Sequence, residues 1–169
     1  MVTKFKYMAA AAALALTPVV ASAATITPAD TGTNYDLLAE SYDFDENFGL
    51  GTTGTTLTYS FTNNSATTAA VTFFGVSVNQ NSAEFTDGVS VDFHTFSADY
   101  AQGETIGENA TFNVASGATA TLTIQFGDVV DNAVTGGTAN IDFTVEAALV
   151  PVPAAGLLLL TALGGIAVM

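Results

Sequence analysis

Ser90, Asp92 and His94 supply the three side-chain types of a hydrolytic triad at a spacing of two residues. In a strand such neighbours stand about 6.5 Å apart and project in parallel from one face. A triad instead needs hydroxyl, imidazole and carboxylate to converge, normally from different elements. His94 is the single histidine, so no other imidazole can serve as the base. The spacing predicts a solvated polar face, and the chain reads as a non-enzyme.

A second constellation is oxygen-rich. In "DFDENFGLGTTG", residues 43–54, Asp43, Asp45 and Asn47 occupy positions 1, 3 and 5 of a calcium loop. Phe48 stands where such a loop needs glycine, and Gly54 where it needs a bidentate glutamate. The stretch is no EF-hand. Asp128 and Asp131 in "GDVVDN" form another oxygen-rich loop. These five residues are the weak candidates for Ca²⁺, and no cofactor is otherwise expected. Two triplets, Asn63-Asn64-Ser65 and Asn109-Ala110-Thr111, have the form of glycosylation sequons. "GLGTTG" is glycine-rich but leads into a strand pattern, so it is no phosphate loop.

The elements that must carry these residues read as strands. Leu57, Tyr59 and Phe61 alternate with Thr58, Ser60 and Thr62. The same period of two recurs at Val89–Phe93, Leu122–Phe126 and Ile141–Val145, and "ATFNV" (110–114) is a shorter strand. "VTFFGVSV" (71–78) breaks the alternation at Phe73-Phe74, which predicts either a bulge near Gly75 or burial of both faces. Turn clusters such as "TNNSATT", "NQNS" and "AQGETIGEN" divide the runs. Short strands so divided predict an all-β fold, a single antiparallel β-sandwich over residues 24–148. Its core would hold Tyr59, Phe61, Val91, Phe93, Phe112, Leu122, Ile124, Ile141 and Phe143. "ATITP" reads as an edge strand, and residues 34–51 as irregular with one strand. "LTYSFTNNSATTAAVTF" and "FNVASGATATLTIQF" resemble the strand-turn-strand pattern of immunoglobulin-like domains in bacterial surface proteins. That resemblance covers about half of the body and implies an immunoglobulin-like sandwich.

Both ends read as processing segments. Residues 1–23 have the form of a secretory signal: Lys4 and Lys6, an apolar helix from Met8 to Leu16, and Ala21-Ser22-Ala23. Cleavage by signal peptidase would leave Ala24 as the first residue. The other end is "VPVPAAGLLLLTALGGIAVM" (150–169). Pro151 and Pro153 hold an extended linker over 149–153. Residues 154–169, as a hydrophobic helix, would span about 24 Å, short of a bilayer core of about 30 Å.

That closing stretch resembles the VPLPA-CTERM sorting domain, a relative of PEP-CTERM found in exported proteins of Gram-negative bacteria. Val150-Pro151-Val152-Pro153-Ala154 matches the motif with Val152 in place of leucine, and Gly156-Leu157 and Gly164-Gly165 fit the helix. The resemblance implies recognition by an exosortase-type membrane protease. It also implies transient anchoring in the inner membrane, then delivery to the envelope surface or extracellular matrix. The family carries an Arg-rich cluster after its helix, whereas here the expected helix runs to Met169 with no such cluster in the sequence. The expected function is that of an exported structural or adhesion protein, the alternative a Ca²⁺- or glycan-binding module. A hydrolase is the remote alternative.

Charge sets the partners. The 169 residues hold 16 Asp and Glu against two lysines, no arginine and no cysteine, for a formal charge of −14. Losing the signal removes both lysines and moves the charge from −14 to −16. Disulfides and thiolate metal sites are impossible. Nucleic acid is excluded as a partner because affinity for it comes largely from cationic side chains. The carboxylates repel, and solvent cations screen that repulsion over about 10 Å at 0.1 M salt. The melting midpoint should therefore rise from low to moderate ionic strength; a flat or falling midpoint in calorimetry would contradict the repulsion.

Overall fold

The computed structural model describes residues 23–80, 83–132 and 137–150. The expected signal helix and Ala21, and the expected C-terminal helix with Pro151, Val152, Pro153 and Ala154, lie outside those residues. Among the described residues no helix is long and apolar enough to cross a membrane.

Twelve strands follow in order: β1 (Ala23–Thr25), β2 (Asn34–Asp36), β3 (Ser41–Gly49), β4 (Thr55–Thr62), β5 (Ala69–Asn79), β6 (Ala83–Phe85), β7 (Val89–Phe93), β8 (Phe96–Tyr100), β9 (Ile106–Val114), β10 (Thr119–Phe126), β11 (Val129–Asp131) and β12 (Thr138–Leu149). One 3-10 turn, Pro28–Asp30, separates β1 from β2. The front sheet runs β1-β3-β12-β5-β9 and the back sheet β2-β4-β10-β7-β8, while β6 and β11 pair at one pole. Every pairing in the two main sheets is antiparallel except β1 with β3 and β2 with β4.

The sandwich matches the expectation; its winding does not follow the immunoglobulin pattern. In that pattern the first two strands lie side by side in one sheet. Here β3, β4 and β5 alternate between front and back sheets. With the short β1 and β2 set aside, the orders β3-β12-β5-β9 and β4-β10-β7-β8 are those of a jelly roll, two Greek keys wound together. Turn residues announce that a strand ends, but whether the next one stays or crosses over depends on which oily faces meet.

Those faces interleave aromatic rings. Phe73 on β5 meets Phe93 on β7 edge to face at 5.1 Å, and Phe44 on β3 meets Tyr59 on β4 at 6.1 Å. All the expected core residues are buried except Phe112, which is half-buried at the open side between β8 and β9. The region read as irregular holds two strands, β2 and β3. Tyr42, Phe44 and Phe48 alternate inward on β3, but Glu46 stands where the alternation needs an apolar residue, which obscured the period.

The break in "VTFFGVSV" is a bulge. Ala69, Val71 and Phe73 face the core, then the phase changes and Val76 and Val78 do. Pairing shifts register between Phe73 and Val76 against β9, and between Asp142 and Thr144 against β12. Gly75, at φ +65, takes the left-handed backbone conformation that absorbs the extra residue. Without it Val76 and Val78 would point outward.

Two fully buried amides pin the poles. At one, Gln80 donates to the carbonyls of Ala101 and Glu104 and accepts from the N–H groups of Phe85 and Gly103. At the other, Asn63 Nδ2 donates to the Thr67 carbonyl at 2.8 Å and the Val114 carbonyl at 2.9 Å, and its Oδ1 accepts from Ser65 N–H and Oγ. That engagement removes Asn63 as a glycosylation acceptor. Asn63→Ala would orphan buried groups at about 1–3 kcal/mol each. Its denaturant midpoint should fall markedly at an unchanged slope; a near-wild-type midpoint would show that the amide does not hold this pole.

Candidate functional site

The strand register gathers polar side chains on the outer surface of the front sheet. Along β3, Asp43, Asp45 and Asn47 point outward because Tyr42, Phe44 and Phe48 point in. β12 sets Thr144 against Asp43, Asp142 against Asp45 and Asn140 against Asn47. On its other side β12 brings Ser77 beside Asp142 and Phe74 beside Thr144. The bulge at Gly75 opens a shallow depression of about 410 Å³ there, lined by Asp43, Asp45, Phe74, Asp142 and Thr144, with Phe44 and Phe143 contributing.

The hydrogen bonds order the rim. Asn140 Nδ2 donates to Asp45 Oδ1 at 2.8 Å and to the Glu46 carbonyl at 3.1 Å. Gly75 N–H donates to Asn109 Oδ1 at 2.9 Å, so the second sequon asparagine braces the bulge. Partial burial pushes the Asp142 carboxyl above its ordinary value, the hydrogen bond with Ser77 opposes this, and the Asp45 charge adds to it. The depression thus offers carboxylate acceptors and the half-buried Phe74 ring in one place, with the Asn140 amide bonded to Asp45 beside it. That set can accept hydrogen bonds from hydroxyl groups and stack against an apolar surface.

The other expected candidates lie apart. Asp43, Asp45 and Asn47 stand in a row on a strand, so they cannot wrap round one ion as a loop does. Asp128 Oδ1 accepts from Gly54 N–H at 2.7 Å, and Asp131 ends β11 at the same pole. Among the described residues no three His, Asp or Glu side chains are placed to hold a metal ion. Ser90 and Asp92 lie on β7 opposite Gln125 and Thr123. His94 leaves the face they share: β7 ends at Phe93, and His94 opens the two-residue turn to β8 at φ 58. Its ring packs on Phe112 with centroids 5.1 Å apart. Tyr42 and Tyr100 hydroxyls are pushed up to about 12 by burial and nearby carboxylates, so both stay neutral. Ala23 and Ala24, on either side of the expected cleavage, pair with Ser41 and Tyr42 in β1. The N–H of Val150, the first residue of the expected sorting motif, donates to the Thr68 carbonyl at 3.0 Å just after β12.

Sequence reasoning missed Asn140, Asp142 and Ser77 as neighbours of Asp45. Their outward direction was readable from the alternation, but the pairing of β3 with β12, some 95 positions apart between Asp45 and Asn140, was not. Because the folded state holds the Asp142 proton more tightly than the unfolded chain, this group favours folding at low pH. That contribution is lost as pH rises through its folded value. Asp142→Asn should be more stable than the parent near neutral pH, with the gap closing below the ordinary 3.8. Urea unfolding at several pH values checks this; a gap independent of pH would contradict it.

No family model matches the chain, and no curated protein matches it. Among solved structures that share some likeness are the following two. A ruminal GH26 endo-beta-1,4-mannanase is 11% identical, covers 62% of this chain and 19% of its own, and has a TM-score of 0.28. The CBM36-1 domain of a multidomain xylanase from the hindgut metagenome of Trinervitermes trinervoides is 20% identical, covers 62% of this chain and 78% of its own, and has a TM-score of 0.26. The chain spans about a fifth of the mannanase chain. At these scores neither likeness carries an argument about ligand or activity.

Proposed function

We propose that this chain is an exported, surface-sorted structural or adhesion protein of the cell envelope or extracellular matrix, working without turnover of a substrate. The observation that carries the reading is the placement of charge. All 16 carboxylates belong to residues 30–146, none is buried, and no lysine or arginine lies among residues 23–150. A body of this kind holds water and counter-ions around a rigid core, as a hydrated layer outside the cell requires. In this reading signal peptidase and an exosortase-type protease act on the two ends, and the inner membrane holds the C-terminal segment in transit.

The depression at Gly75 favours a second reading, a glycan-binding module that uses Asp45, Asp142, Asn140 and Phe74. Fractionation of the parent and of a variant lacking residues 150–169, in the producing cells, tests the first reading. The parent should reach the surface or matrix, and the shortened protein should stay folded and be released. A shortened protein that unfolds, or that localises like the parent, would sink the sorting reading. Polysaccharide binding weakened by Asp142→Asn, with localisation unchanged, would favour the second.

A further inference from the structure

The two long sides of the sandwich are finished differently. On one side β1 adds to β3, the chain crosses through the Pro28–Asp30 turn, and β2 adds to β4. On the other side the front sheet ends on β9 and the back sheet on β8, and among the described residues no strand lies beyond either. Half-buried Phe96 and Phe112 stand in that gap, and exposed His94 covers part of Phe112.

β9 is nine residues long, and its outer edge presents a row of backbone groups that a further strand can pair. Such edges are normally blunted by lysine, proline or several charges. β9 has neither lysine nor proline, and its single charge is Glu108. In a chain with 16 acids, residues 109–127 contain none. Within that stretch Asn109–Val114 lies on β9 itself, so a strand pairing there meets no carboxylate on that part of the edge.

We propose that β9 pairs antiparallel with β9 of a second copy about a two-fold axis at Ala110, joining two five-stranded front sheets into one. The proposal goes beyond the export reading and does not depend on it. The register follows from the symmetry. Asn109 faces the partner's Thr111, Glu108 faces the partner's Phe112, and Gly107 faces the partner's Asn113. No carboxylate meets a carboxylate across the axis. The two Glu108 side chains are offset by four residues, about 13 Å along the strands, beyond the screening length of about 8 Å at physiological salt. Asn109 and Thr111 are exposed on the outer face, where amide and hydroxyl can hydrogen-bond across the new pair.

Sedimentation equilibrium of the protein purified from its producing cells tests this. The parent should dimerise, and more tightly as ionic strength rises, because the bodies repel while the interface does not. N109D/T111D sets carboxylates against carboxylates twice and should weaken the dimer about tenfold or more. Aspartate at 109 keeps the acceptor for Gly75 N–H. N109D/T111K sets opposite charges together in the same register and should dimerise more tightly than N109D/T111D. A parent that stays monomeric at all concentrations and salts, or two variants that dimerise equally, would overturn the proposal.

Discussion

The structure depends on aromatic rings from two sheets filling one layer. Phe44 and Phe143 stack on the front sheet at 4.9 Å, while Tyr42 reaches Phe61 and Phe73 reaches Phe93 across the sandwich. Phe48, Phe85 and Phe126 continue the contacts toward the β6–β11 pole. Burial of this surface is the large favourable term. It must exceed chain entropy and the mutual repulsion of carboxylates that no lysine or arginine among residues 23–150 answers. With cysteine absent, no cross-link shares that task.

The same constraint shapes the outside. Each ring that turns in sends its neighbour out, and on β3 and β12 those neighbours are Asp43, Asp45 and Asp142. The acidic rim is therefore a consequence of strand pairing as much as of composition. The bulge at Gly75 links the two layers of this argument. It lets β5 keep Phe73 and Val76 in the core, and it opens the surface beside Phe74 and Asp142. A change at that glycine would disturb packing and surface together.

Charge also divides the molecule. Residues 47–83 and 109–127 carry no Asp, Glu, Lys, Arg or His. They supply β4, β5, β10 and most of β9. The carboxylates lie on the loops, the N-terminal crossing and the outward positions of strands such as β3, β7 and β12. Like charges directly opposite one another are destabilising in a sheet; the β4–β10 pairing has none, whereas β3 and β12 set Asp45 against Asp142.

The sequence by itself determined the strand class, most strand positions and the inward residues, because alternation is local and the core rewards one face of each strand. It also specified the charge and the absence of disulfides, and it narrowed the break at Phe73-Phe74 to a bulge near Gly75 or burial of both faces, between which the strand register decided. It did not determine the winding. Whether β4 returns beside β3 or crosses to the other sheet leaves the same alternation, so an immunoglobulin-like order and a jelly roll read alike. Nor did it show β3 clearly, because Glu46 interrupts the period. His94 looked like the continuation of Ser90 and Asp92, yet the turn at Phe93 carries it onto Phe112. Asn63 looked like a sequon and is a buried pin, since a triplet reports residue types and not accessibility. The grouping of Asp45, Asn140, Asp142 and Ser77 is tertiary, because it exists only once β12 lies between β3 and β5.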